Sequence, residues 1–399
     1  MEGVKLAFDA SLPSVQPRTA ALAGTLVMAA GVGIGRFAYT PLLPPMRDAL
    51  GWSVSQAGDV ASANFLGYLV GALVASALTP RAERRLWLCV GMHLSVVTTS
   101  AGVVVVSFPA WLGMRFLSGI ASAFCLVLST AIVIEFLARC SRPQLGALHF
   151  AGVGVGIVAS VLVIELVRLA GFSVFAQWGG LGITSIVLLA GAWMIVRVLP
   201  SPEGAGKRGT SETSRGKATT PPLLKKLIVA YGFFGFGYVV TATFIVAMAR
   251  HLDHATLVEP LTWIVFGLIA APSVLVWQRL ALRLGMFPAL RLAYGVEAVG
   301  VLLAGFGPGH VALVTGGALL GGTFMGITAL GILAARQIAA SNQGRVIGWM
   351  TASFGLGQLL GPALAGRLAQ MTQGFEAPSL VAALLLLGGI VLLRGTEHA

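Results

Sequence analysis

Charge is what this sequence has least of. Only 10% of its 399 residues are Asp, Glu, Lys or Arg, where a soluble domain carries about 25%. Acidic groups are especially scarce, at 14 against 26 basic ones. That shortage excludes a conventional water-soluble domain. Cysteine is nearly absent too: Cys89, Cys125 and Cys140 are the three, and their spacing matches neither a disulfide framework nor a metal or redox motif. The six histidines form no box, and no acidic pair stands at metal-ligand spacing, so neither a metal nor a cofactor is expected. A membrane-embedded enzyme would need such a cluster near one face, so an enzyme is not expected. Short alternating apolar and polar stretches are missing as well, which excludes a transmembrane β-barrel.

What fills the chain is apolar residue, 57% of the total. Windows free of Lys, Arg, Asp and Glu recur, among them 60–80, 86–114 and 298–335. A bilayer core about 30 Å thick needs roughly 20 such residues per helix. Between Gly and Pro breaks the pattern predicts six helices over 20–44, 54–79, 86–107, 110–138, 144–167 and 174–198. Six more are predicted over 226–249, 259–280, 287–305, 310–336, 346–368 and 377–394. The expected fold is therefore an all-α integral membrane protein of twelve transmembrane helices in two pseudo-symmetric six-helix bundles. The halves span 1–198 and 226–399, and the polar stretch 199–225, rich in Ser, Thr, Gly, Pro and Lys, is expected to be a solvated linker.

With an even number of helices both termini lie on one side, and the basic residues sort by loop. Arg47, Arg168, Arg250 and Arg367 fall on the far side, Arg36 and Arg115 fall within helices, and the other twenty fall on the terminal side. The positive-inside rule then predicts a multi-pass protein of the cytoplasmic (inner) membrane with both termini in the cytoplasm. A basic face against anionic lipid accounts for the net charge of +12 with no nucleic-acid partner. Residues 1–18 have no apolar core of the signal-peptide kind, so no cleaved leader is expected.

The two halves repeat. Gly33, Gly35, Arg36 and Tyr39 align with Gly235, Gly237, Tyr238 and Thr241 at an offset of 202, and Gly154 and Gly156 align with Gly355 and Gly357 at 201. A nearly constant offset with matching helix order indicates a duplicated six-helix unit.

The segment Gly31-Val-Gly33-Ile-Gly35-Arg36-Phe37-Ala-Tyr39-Thr-Pro41-Leu-Leu-Pro44, together with Asn64, Gly67, Tyr68 and Gly71 in the second helix, resembles the YbfB/YjiJ-type branch of the major facilitator superfamily. In helix four Arg115-Phe-Leu-Ser118-Gly119 is similar to the superfamily's Arg-x-x-Gln-Gly signature, with Ser118 in place of Gln. Arg81, Arg84 and Arg85 match the basic part of its loop motif, while Pro80 and Ser76 stand where Asp and Gly are usual. The resemblance implies alternating-access transport of a small solute. Each half can bury its polar residues against the other, so a chain that functions as a monomer in the lipid bilayer is expected.

Charges inside a helix bundle are costly and mark functional candidates. Arg36, Asp59, Arg115 and Glu165 share one depth zone of the N-terminal half, and they are expected to form an ion-pair network that couples protons to conformational change. An Arg there serves as counter-charge or binds an anionic solute directly. Tyr39, Asn64, Tyr68, His149, Tyr238, Thr241, Thr243, Phe324 and Gln358 are the cavity candidates. Of these, Asn64 and Tyr68 are equally explained by hydrogen bonds to a neighbouring helix, His149 is better explained by such a bond than by titration near neutrality, and core packing is the favoured alternative for any one of Tyr238, Thr241, Thr243, Phe324 and Gln358. Gly152, Gly154, Gly156, Gly355, Gly357, Gly361 and Pro362 are expected to be hinges. Glu297, midway along helix nine, is expected to be a structural ion-pair member in preference to a coupling group, and Glu135 with Arg139 a surface pair or latch. The function these features predict is proton-coupled transport of a small solute, with export slightly preferred; the alternative is an uncoupled or importing permease for a sugar-like or organic-acid solute, and a membrane enzyme or sensor is disfavoured.

Overall fold

The computed structural model describes residues 15–77, 83–199, 221–250, 252, 255–339 and 343–394. Residues 200–220 of the linker expected over 199–225, the loop motif around Arg81 and the N-terminal segment 1–14 lie outside them, while residues 222–225 of that expected linker belong to a helix. Among the described residues the chain is built of helices, in twelve successive segments. We label them α1 (Pro17–Leu50), α2 (Val54–Ala77), α3 (Arg84–Ala101), α4 (Phe108–Arg139), α5 (Gly146–Leu169), α6 (Val174–Val196), α7 (Pro222–Ala249), α8 (Ala255–Leu284), α9 (Met286–Phe306), α10 (Gly309–Ile338), α11 (Gln343–Thr372) and α12 (Glu376–Leu392). Nine of these are long and apolar enough to cross a membrane unaided. The three that fall short by that measure are α3, diluted by Arg84, Arg85 and a run of Ser and Thr, the polar-rich α11, and the short α12. Helices are the expected element because backbone N–H and C=O groups have no water to bond in lipid.

The halves meet along two seams, α2 against α11 and α5 against α8. Glycine makes the second seam possible. A Cβ on Gly154 would strike the Gly267 carbonyl and stand 2.6 Å from the Ala271 nitrogen, so only a bare backbone fits. The other glycines expected as hinges are contact points as well: Gly152 abuts the Thr25 carbonyl, Gly156 that of Ala29, and Gly357 that of Gly232. Neither α5 nor α11 is interrupted at its glycines or at Pro362.

The one broken helix among the described residues is α1. It runs as an α-helix over Pro17–Met28, widens to a π-helix over Ala29–Ile34, passes through a turn at 35–38 and resumes over Tyr39–Leu50. Two features of the sequence cause this. Gly31 and Gly33 are pressed against Cys125 and against the backbone of Val153 and Gly156. Pro41 cannot supply the N–H that would continue the ladder, and the Thr40 N–H turns to the Phe37 carbonyl at 3.2 Å. The carbonyls of Gly35 and Arg36 are then taken by side chains from α4.

Candidate functional site

The break in α1 sits where the halves face each other. Ser118 of α4 donates its hydroxyl to the Gly35 carbonyl at 2.8 Å. Arg115, 2% exposed, donates from one guanidinium nitrogen to the Gly35 carbonyl and from the other to the Arg36 carbonyl, both at 3.0 Å. Its charge also lies 5.1 Å from the centre of the Tyr39 ring. Arg115 therefore acts as a clamp on the unwound turn, using the planar two-pronged geometry that distinguishes Arg from Lys. Asn64 of α2 secures the same corner, donating to the Arg115 carbonyl at 3.0 Å.

Held out from that turn, Arg36 points into the interface. It is 6% exposed and is enclosed by aromatic faces, 4.4 Å from Tyr68, 4.7 Å from Phe65 and 5.3 Å from Phe37. Such cation–π contacts suit a weakly hydrated guanidinium. One of its nitrogens donates to the Tyr238 hydroxyl of the C-terminal half at 3.3 Å, while its Nε has no partner. Gln358 of α11 donates to the same Tyr238 hydroxyl. Behind Tyr238 the C-terminal half presents a stack of rings, with Phe324 at 5.7 Å and Phe354 at 5.9 Å, nearly parallel. Phe37 meets the edge of Phe324 at 5.9 Å.

Between these groups lies a cavity of about 10 Å³ lined by Arg36, Phe37, Tyr39, Thr40, Ala61, Phe65, Arg115, Val239, Ala242 and Thr243. That is room for about one water molecule, so any solute larger than water requires the halves to part.

Three polar contacts across the interface join residues 202 positions apart: Arg36 to Tyr238, Thr40 to the Ala242 carbonyl, and Asp48 to Arg250. This separation is the repeat offset itself. Helices α1 and α7 are equivalent elements that face each other across the pseudo-two-fold axis, so each residue near the axis meets its own counterpart, as in an isologous interface.

Several expectations are revised. Arg36, Asp59, Arg115 and Glu165 do not form one network. Asp59, on the rim of α2, pairs with Arg367 of α11 at 2.9 Å. Glu165 pairs with Arg168 one turn along α5, at 2.6 Å. Neither carboxylate reaches the central arginines, because position along a helix sets depth but not the direction in which a side chain points. Asp59–Arg367 and Asp48–Arg250 instead bridge the halves at the face opposite the termini, and Glu259 also bonds Arg250, at 3.1 Å. His149 is not in the cavity. It is buried between α5 and α4, with Nε2 3.0 Å from the Thr130 hydroxyl. Tyr39, Thr243 and Arg115 do line the cavity, whereas Tyr68, Tyr238, Phe324 and Gln358 do not: Tyr68 and Tyr238 contact Arg36, Phe324 meets Phe37, and Gln358 bonds Tyr238. Thr241 is buried with its hydroxyl unpartnered. Glu297 has no ion-pair partner among the described residues and is fully buried. Glu135 bonds Arg139 at 2.8 Å and Arg84 of α3 at 3.4 Å, at the terminal face.

Sequence reasoning missed Phe37, Thr40 and Phe65. Two were detectable: Phe37 follows Arg36 directly, and Phe65 precedes Tyr68 by three residues, one helical turn on the same face.

The fold has known counterparts. Solved structures of the nucleoside transporter NupG superpose with TM-scores of 0.70 for a mutant form and 0.63 for a second structure. Their identities are 14% and 16%, over 95% and 94% of this chain and 100% and 96% of theirs, a likeness of fold. A Bacillus subtilis (strain 168) relative described as the uncharacterized MFS-type transporter YceJ is 24% identical over 356 residues, 87% of this chain and 88% of its own. An MFS-type transporter of Yersinia pestis (strain Pestoides F) is 32% identical over 135 residues, 34% of this chain and 35% of its own. The family model described as uncharacterised MFS-type transporter YbfB matches residues 28–394, and with twelve helices in two facing six-helix halves the chain belongs to that family of secondary transporters.

Proposed function

We propose that the protein is an alternating-access carrier of a small organic anion, with Arg36 as the group that holds the anion and with proton movement as the driving reaction. The observation that carries this reading is the isolation of Arg36. Its guanidinium is permanently charged and sits between the halves, yet among the described residues it pairs with no carboxylate. A buried charge without a counter-ion is costly, and a solute carboxylate, sulfonate or phosphate would supply one. The surrounding rings of Phe37, Phe65, Tyr68, Tyr238 and Phe324 suit a flat apolar body attached to that anion. Arg115, both of its terminal nitrogens bonded to the α1 turn, adds positive potential to the same cavity without being free to follow the solute.

Closure of the face opposite the termini by Asp59–Arg367 and Asp48–Arg250 supports a cycle in which those pairs break as that side opens. The distribution of Lys and Arg supports an orientation with that face outside the cytoplasmic membrane and both termini within the cell. Export is the favoured direction, because the lining is mixed and aromatic rather than a cage of polar ligands.

The test is binding by the purified full chain. Benzenesulfonate should raise the thermal stability of the wild type, whereas the uncharged isostere benzenesulfonamide should not. In Arg36→Met the benzenesulfonate shift should vanish, and in Arg36→Lys it should weaken. Equal responses to the two compounds, or an unchanged shift in Arg36→Met, would overturn the assignment of an anionic solute. Labelled benzenesulfonate in liposomes then reads direction from the side on which it accumulates.

A further inference from the structure

The carboxyl of Glu297 has no role in the site described so far, and its surroundings are unusual. Glu297 lies midway along α9 and is fully buried. Neither carboxyl oxygen accepts a hydrogen bond or meets a cation among the described residues. Helix α9 packs against α7, α8, α10 and α12, and the groups facing the acid from each can be named. Thr323 of α10 lies against it, and Tyr294 of α9 and Tyr238 of α7 are within electrostatic reach. At this depth α8 (263–277), α10 (311–335) and α12 (378–392) contain no charged or titratable side chain, and α7 (227–249) contains only Tyr231 and Tyr238.

Hydrogen-bond bookkeeping then assigns the proton. The single hydroxyl proton of Thr323 is directed at the Leu319 carbonyl, 2.7 Å away, and the Leu320 carbonyl, 3.2 Å away. The Tyr294 hydroxyl donates to the Ala230 carbonyl of α7 at 2.9 Å. No donor remains for a carboxylate, whereas a carboxylic acid could itself donate to the Thr323 oxygen. An ionised carboxylate here would be buried with neither donor nor cation, the arrangement that membrane interiors least tolerate.

We propose that Glu297 is a proton-binding site of this carrier, occupied by a proton in the closed conformation and emptied when the bundle opens to water. The step is a simple transfer: the carboxyl O–H bond breaks, the proton passes to an entering water, and the carboxylate left behind is solvated until a proton from water restores the acid and allows the helices to close. Coupling to the solute runs through α7. That helix carries Tyr238, which touches Arg36 and lies within electrostatic reach of Glu297, so a shift of α7 that frees Arg36 also alters the surroundings of the acid. The proton site stands by itself, while its coupling role rests on the carrier reading above.

Infrared spectroscopy of the purified full chain at neutral pH tests the site with no solute present. The wild type should show the C=O stretch of a protonated carboxyl, shifted in D₂O. The band should be lost in Glu297→Gln and displaced but retained in Glu297→Asp, which keeps the acid should the amide impair folding. A wild type without the band, or a band that survives in Glu297→Gln, overturns the proposal. In liposomes, accumulation of labelled benzenesulfonate against its gradient, driven by a pH difference, should be lost in Glu297→Gln and persist in Glu297→Asp. Accumulation by Glu297→Gln equal to the wild type overturns the coupling role. A wild type that fails to bind benzenesulfonate counts against the anion reading, and the infrared band then decides the proton site alone.

Discussion

Arg115 and Arg36 are both buried arginines near one kink, yet their surroundings predict opposite consequences of removal. Arg115 satisfies two backbone carbonyls of α1 with charge-assisted bonds, each contributing about 1.5–3 kcal/mol. In Arg115→Met the Gly35 carbonyl keeps its bond from Ser118, but the Arg36 carbonyl is left without that donor inside a dry interface. Removing the charge also relieves the cost of burying it. The net expectation is a loss of about 2–4 kcal/mol, chiefly one orphaned acceptor plus part of a second bond. Arg36→Met removes one long bond to Tyr238 and an uncompensated charge, and it puts an apolar chain among aromatic rings. Its stability should stay within about 1 kcal/mol of the wild type or rise. Unfolding of each variant by SDS titration in mixed micelles measures the difference. If Arg115→Met unfolds with the wild type to within about 0.5 kcal/mol, or if Arg36→Met is the less stable of the two, the clamp assignment is wrong.

Other expectations follow from the seams and the rim. Asp59→Arg should repel Arg367 and loosen the face opposite the termini, and the exchange Asp59→Arg with Arg367→Asp should restore it. The pair is half exposed, so its coupling should be only about 0.2–1 kcal/mol. Maleimide labelling of a cysteine placed at Ala61, in a background lacking Cys89, Cys125 and Cys140, would show this, and equal labelling in all forms would count against a rim lock. Gly154→Val should wedge α5 from α8 at the Gly267 carbonyl and destabilise the closed form by about 1–3 kcal/mol. SDS unfolding measures that loss, and wild-type behaviour would mean the seam is loosely packed. Thr130→Val should leave benzenesulfonate binding unchanged, since the bond between Thr130 and His149 lies outside the cavity. A lost thermal shift would return His149 to the site.

The succession of helices was legible in the sequence because lipid imposes it residue by residue. A span must be long, apolar and helical, and each requirement leaves a local mark. The break in α1 was not expected, since 20–44 reads as a single helix, although its glycines and Pro41 are the residues that cause it. The duplication was legible from the offset of 202, and that offset went further than expected, since it names the residues that meet across the axis. What only the tertiary structure decided is which charge faces which. Asp59 finds its partner 308 residues away, and Arg115 turns from the expected carboxylates to two backbone carbonyls that exist as free acceptors only because α1 unwinds. Glu297, expected to be paired, meets no cation among the described residues. Hydropathy registers the depth of a residue through local composition, whereas direction around the helix axis and the free valences of a distant backbone arise only when the twelve helices pack.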